Sequence, residues 1–163
     1  MWTLQRSSLW KARNNPRRDI PPESAAIHEI LPRMVVGKPP IEEVLPDFVA
    51  YIGSSVLVAH QAWFDMRFLN FATRRSYGFQ IQNIVLDTAI LDCALPRIKT
   101  PKEMIKINSS LSALAERYHL TIEERHTSFG DALATAQIFQ QMLKEAKKFG
   151  IVSLKDLIRL TSK

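Results

Sequence analysis

The sequence predicts an α/β fold, on three observations. Two short apolar runs, Val56-Leu57-Val58 and Ile84-Val85-Leu86, have the length of buried strands. Each is followed closely by a helical pattern of apolar residues, so strand and helix alternate. The remaining periodic stretches are helical, which leaves only these two convincing strands. That is few for a sheet in a domain of this size, and it suggests that front strands are absent.

The elements follow in order. Residues 1–14 form an irregular N-terminal segment. Trp, Leu, Arg and Ser mix there without a period, and residues 9–12 allow at most a short strand. Asn14-Asn15-Pro16 and Pro21-Pro22 are turn formers, so no stable element is expected before residue 24. Residues 41–52 read as a helix. Pro39-Pro40 sits at its start, Glu42 and Glu43 suit the dipole of its first turn, and Gly53 ends it. Pro46 predicts a late start or a bend. Residues 55–60 form the first strand. The helix of residues 64–75 places Phe64, Phe68, Leu69 and Ala72 inward, with Arg67, Arg74 and Arg75 elsewhere.

Residues 84–86 form the second strand, and Asp87 caps a helix that Pro96 stops. Residues 97–108 are a basic, irregular connection. Ser109 or Ser110 caps the next helix, with Leu111, Leu114 and Ala115 inward. Gly130 leads into a long helix ending at Gly150, its buried face marked by Leu133, Ala136, Phe139 or Gln140, and Leu143. Ser153-x-x-Asp156 reads as a capping box for a last helix within residues 151–163.

Composition narrows the class. At 163 residues, 46% hydrophobic and 23% charged, the chain suits one ordinary globular domain. No apolar run approaches the ~20 residues of a membrane span, and no secretory pattern is visible, so no membrane contact and a cytoplasmic location are expected. The single cysteine, Cys93, excludes an internal disulfide and a thiolate zinc cluster; it reads as a small buried apolar group. A net charge of +6 favours a polyanionic partner, although much of it reads as solvated helix surface.

Two motifs carry chemistry. His126-Thr127-Ser128-Phe129-Gly130-Asp131 puts a potential base just before an acid at a helix start. Val58-Ala59-His60-Gln61-Ala62-Trp63-Phe64-Asp65 puts a second acid just past a strand. Such acids can hold a divalent cation, and the imidazole can accept a proton from an attacking water. Plainer readings stand beside these. Asp131 suits a helix dipole, Asp65 could cap its helix, and His126 could be a surface histidine. His60 reads as a satisfied histidine at a strand end and His119 as structural. Asp87 reads as a cap and Asp92 as solvent-facing. Phe64 and Phe68 read more readily as core than as base-stacking groups, and Trp63 is open between the two.

The order of these motifs resembles the DnaQ-like 3′–5′ exonucleases with a histidine base, the family of the epsilon proofreading subunit of bacterial DNA polymerase III. Asn15-Pro16 with Ile20-Pro21-Pro22-Glu23 and Ala26-Ile27-His28 resembles the loop before its first helix. Val56 to Asp65 resembles its second exonuclease motif and Leu86-Asp87-Thr88 a strand-to-helix step. Leu111 to Ala115 resembles the next helix, and His126 to Ala136 the third motif. The resemblance implies a ribonuclease-H-like domain over residues 15–150. It implies two Mg2+ or Mn2+ ions and hydrolysis of phosphodiesters at single-stranded nucleic-acid 3′ ends.

By motif, Asp65 and Asp131 would be catalytic metal ligands and His126 the base. His28, Gln61 and Phe64 would contact substrate. The family's first motif, Asp-x-Glu on a leading strand, has no counterpart here: no acid precedes Asp19. Gln61 also stands where the family usually has Asn. Impaired activity is therefore expected unless a polymerase or another chain supplies the missing strand. The alternative is a non-catalytic remnant that binds nucleic acid or protein.

Overall fold

Strand β1 (Leu57–Ala59) and strand β2 (Val85–Asp87) pair in parallel, Leu57 opposite Val85 and Ala59 opposite Asp87. The intervening helix α4 (Ala62–Tyr77) makes the crossover that parallel strands require. A computed structural model gives this arrangement and describes residues 12–95, 108–122 and 127–161. Before β1 come α1 (Pro22–His28), α2 (Pro32–Val35) and α3 (Ile41–Ile52). After β2 come α5 (Thr88–Ala94), α6 (Leu111–Arg117), α7 (Ser128–Lys148) and α8 (Leu154–Thr161). No described helix is long and apolar enough to cross a membrane.

The core lies between α7 and the elements it packs on. Ile138, Met142 and Ala146 of α7 meet Leu86, Leu91, Leu95, Leu114 and Leu157. Leu133 and Ala136, expected inward, are exposed. The buried stripe is Ala134, Ile138, Met142 and Ala146, because the small residues let α7 approach its neighbours closely. Helix α8 belongs to this core through Leu157 and packs on α5. Its capping box forms in full: Ser153 N–H donates to Asp156 Oδ2 at 3.1 Å, and Asp156 N–H to Ser153 Oγ at 3.2 Å.

Helices α1 and α2 were not expected from sequence. Each begins with proline at its first position, where the missing N–H costs nothing. Helix α3 starts at Ile41 and runs unbroken through Pro46. Proline cannot donate to the carbonyl four residues back, which is that of Glu42. The Tyr77 hydroxyl, at the end of α4, donates to that carbonyl instead at 2.5 Å. Gly53 then ends α3 at φ 45°, ψ −125°, a conformation that side chains resist.

Two expectations are corrected here. Asp92 is not solvent-facing. It is fully buried, ion-paired to Arg117 and accepting from the Ser109 hydroxyl at 2.6 Å. Arg117 reaches it from the end of α6, and a buried carboxylate demands such partners. Phe64 and Phe68 are not core. The inward face of α4 is Ala62, Met66, Leu69 and Thr73, and the two rings stand on the opposite side. Cys93 is half-buried, its Sγ 3.6 Å from Ser109 Oγ.

Candidate active site

The site is assembled at the carboxyl end of β1 and β2, where open α/β sheets place their ligands. Asp87 organises this corner. It is the last residue of β2, buried, and its carboxylate accepts three backbone N–H groups. Oδ1 takes Gln61 at 3.0 Å and Ala89 at 2.8 Å, and Oδ2 takes Ala62 at 2.8 Å. One acid thus caps α5, as expected, and also holds the start of α4.

Gln61 is the hinge between β1 and α4. Its backbone is left-handed, at φ 57°, and its carbonyl accepts from Phe64 N–H at 3.0 Å. Asn tolerates this conformation better than Gln, because its short amide bonds locally. The tight turn places Asp65 in the first turn of α4. Asp65 is open to solvent on one side, yet partial desolvation pushes its carboxyl above the ordinary value. Its own backbone hydrogen bond opposes this, and the charge of Asp87 adds to it.

Asp131 enters from α7. Thr127 caps that helix by accepting Gly130 N–H at 3.0 Å, and Asp131 N–H donates to the Thr127 carbonyl at 3.0 Å. The helix begins at Ser128, so Asp131 sits half-buried in its first turn. His126 lies just outside the described residues.

His60, at the end of β1, links the acids. His60 Nδ1 and Thr88 Oγ1 are hydrogen-bonded at 3.0 Å, and the Thr88 hydroxyl also lies 3.4 Å from the Ala59 carbonyl. Burial lowers the His60 pKa. The charges of Asp87, Asp92 and Asp131 pull against that. The elements converge here: β1 pairs with β2, α5 follows β2, and α7 packs on both β1 and α5.

The other expected contacts are scattered. His28 ends α1, where its Nδ1 accepts from Ile30 N–H at 3.0 Å, a local turn bond. Trp63 and Phe64 are exposed beside Asp65, their rings edge-to-face at 5.6 Å. Sequence reasoning missed that Asp87 holds α4 as well as α5. The signal was there in the step from Leu86-Asp87-Thr88 to a glutamine turn with no capping side chain of its own. Among the described residues, no three His, Cys, Asp or Glu side chains gather as a metal centre. Asp65 and Asp131 alone offer too few oxygens for a divalent cation. The described residues therefore do not fit a self-contained two-metal site.

Comparison with known proteins agrees with this layout. Residues 11–139 match the family model described as Exonuclease. The chain is 34% identical over 146 residues to the DNA polymerase III PolC-type protein of Thermotoga maritima, covering 89% of this chain and 10% of that protein. It is 38% identical over 141 residues to a DNA polymerase III subunit epsilon-like protein of Rhodobacter capsulatus, covering 85% of this chain and 19% of that one. The chain thus spans a tenth to a fifth of the length of these relatives. Among solved structures, it superposes on Exonuclease X in complex with 5′ overhanging duplex DNA, with a TM-score of 0.62 and 25% identity. That match covers 89% of this chain and 76% of the other. The α/β architecture is that of the ribonuclease-H-like exonucleases, which generally depend on divalent metal ions. By its motifs, its fold and this match, the chain belongs to the exonuclease family.

Proposed function

We propose that this chain is the body of a 3′–5′ exonuclease site that hydrolyses terminal phosphodiesters of single-stranded nucleic acid. Asp65 and Asp131 serve as metal ligands and His126 as the general base. The observation that carries this is the convergence at the end of β1. Asp87 at the end of β2 holds the turn that leads to Asp65 through Gln61 and Ala62, and α7, which carries Asp131, packs on β1. Mg2+ or Mn2+ bound there would stabilise charge on the scissile phosphate. Further carboxylates must come from outside the described residues. A strand paired to the edge of β1 that has no partner among the described residues is the natural source, whether borne by a polymerase-associated chain or by another segment. Gln61 and Phe64, on the site's rim, and His28 would contact the substrate.

The absence of a three-ligand cluster among the described residues favours a second reading, in which the domain binds nucleic acid or protein without cutting. The test is release of mononucleotides from a 3′-labelled single strand in Mn2+, comparing the chain with Asp131→Ala after both are checked for folding. Activity that the substitution abolishes supports the enzyme. Two folded, inactive proteins support the second reading.

A further inference from the structure

Helix α4 carries its aromatics on the outside. Phe64, Phe68, Phe71 and Arg75 recur at the spacing of one helical face. That face is opposite the buried Ala62 and Thr73. Phe68 is 57% exposed, Phe71 64% and the flanking Trp63 62%. The rings do not collapse: Phe64 is edge-to-face with Trp63 at 5.6 Å and with Phe68 at 4.9 Å, so the arrangement is held in place. Exposed apolar surface of this extent on a helix marks an interaction site.

The charge beside it identifies the occupant. Arg67, Arg74 and Arg75 are exposed on the same helix, and none forms an ion pair among the described residues. From Arg67 to Arg75 the helix rises about 12 Å. Rings that can stack on bases, flanked by unpaired guanidinium groups, suit a single-stranded nucleic acid with its regular phosphates. An apolar protein surface would leave those three charges without partners. The face also begins at Phe64, next to Asp65, so a strand lying on it would be continuous with the candidate site.

We propose that the outer face of α4 is a landing track for the single strand upstream of the nucleotide at the site, with Phe68 and Phe71 stacking on bases and Arg67, Arg74 and Arg75 holding phosphates. This deepens the exonuclease reading and rests on it only for the direction of the strand.

The test is equilibrium binding of a 5′-labelled oligothymidylate by fluorescence anisotropy in EDTA, where no metal-dependent hydrolysis occurs. Two variants are compared with the parent after matching circular dichroism spectra. Phe68→Ala/Phe71→Ala should weaken binding about tenfold or more. Arg74→Gln/Arg75→Gln should make the slope of log affinity against log salt shallower by about 1.4, two phosphate contacts at about 0.7 each. Parental affinity and slope in both variants would overturn the track. So would a parent that does not bind the oligonucleotide, or an aromatic variant that changes only self-association in sedimentation, which would assign the face to a second copy or a protein partner. If the aromatic variant misfolds, the arginine variant, altered only at exposed side chains, decides alone. Binding in EDTA is independent of hydrolysis, so failure of the exonuclease reading in the Asp131→Ala comparison leaves this result standing, and the reverse also holds.

Discussion

Tyr77→Phe removes one oxygen at the end of α4, and its effect should be felt in α3. The Tyr77 hydroxyl is the donor to the Glu42 carbonyl, which Pro46 leaves without its helical partner. The bond is at the surface, so water can replace part of it. The expected loss is about 1 kcal/mol, within the usual net worth of a hydrogen bond. The ring itself is kept, as is its tilted contact with Phe79 at 6.3 Å, so packing should change little. A double-mutant cycle isolates the mechanism. In a Pro46→Ala background the new Ala N–H can take the Glu42 carbonyl, and the hydroxyl becomes redundant. Tyr77→Phe should then cost a few tenths of a kcal/mol, leaving a coupling energy of about 0.7 kcal/mol. The assay is urea unfolding followed by circular dichroism, with all four proteins at one pH. Equal losses in the two backgrounds would refute the account and leave Pro46 tolerated for some other reason.

Three further outcomes are expected. Arg117→Ala removes the ion-pair partner of the buried Asp92 and should cost about 3 kcal/mol in the same unfolding assay; a loss under 1 kcal/mol would show that Asp92 is well served without it. His60 has its pKa lowered by burial, so the unfolded state takes up its proton first. Its contribution to stability is complete above about pH 6.5 and declines as the pH falls below that, and a His60→Gln variant should lose this part of the pH dependence in urea midpoints measured from pH 8 to pH 5. Asp65 has its pKa raised, so its ionisation opposes folding at neutral pH. Asp65→Asn should therefore raise the thermal midpoint slightly, since solvent screens this half-open carboxyl, and a lower midpoint would contradict its desolvation.

Much of the frame was legible because it rests on local chemistry. The two strands, the Asp87 and Ser110 caps and the Ser153–Asp156 box depend on residues a few positions apart, and all appear within a residue or two of the expected place. What failed was facing. In α4 the sequence offers two candidate stripes, one aromatic and one of Ala62, Met66, Leu69 and Thr73, and hydrophobicity alone prefers the rings. The structure buries the smaller residues because α4 lies close against β1, β2 and α3. In α7 the same preference for large residues picked Leu133 over Ala134. Asp92 was misplaced because its partners, Arg117 and Ser109, lie well along the chain, and no period links them. For the site, Asp65 and Asp131 stand where the motifs put them, in the first turns of α4 and α7. The multiple duty of Asp87 is a tertiary fact, since Gln61 and Ala62 reach it only once β1 and β2 pair.

The docking of α8 bears on how this domain can be cut and joined. The family match stops at residue 139, in the middle of α7. A fragment ending there would lose Met142, Ala146 and Leu157, all 2% exposed or less, and would open the wall against which Leu91 and Leu95 pack. Since α5 begins on the acid that anchors Gln61, slack in that wall would be passed on to the turn carrying Asp65. Fusions, tags and split-protein designs should therefore be joined after Thr161, with the last helix treated as a structural wedge of the domain.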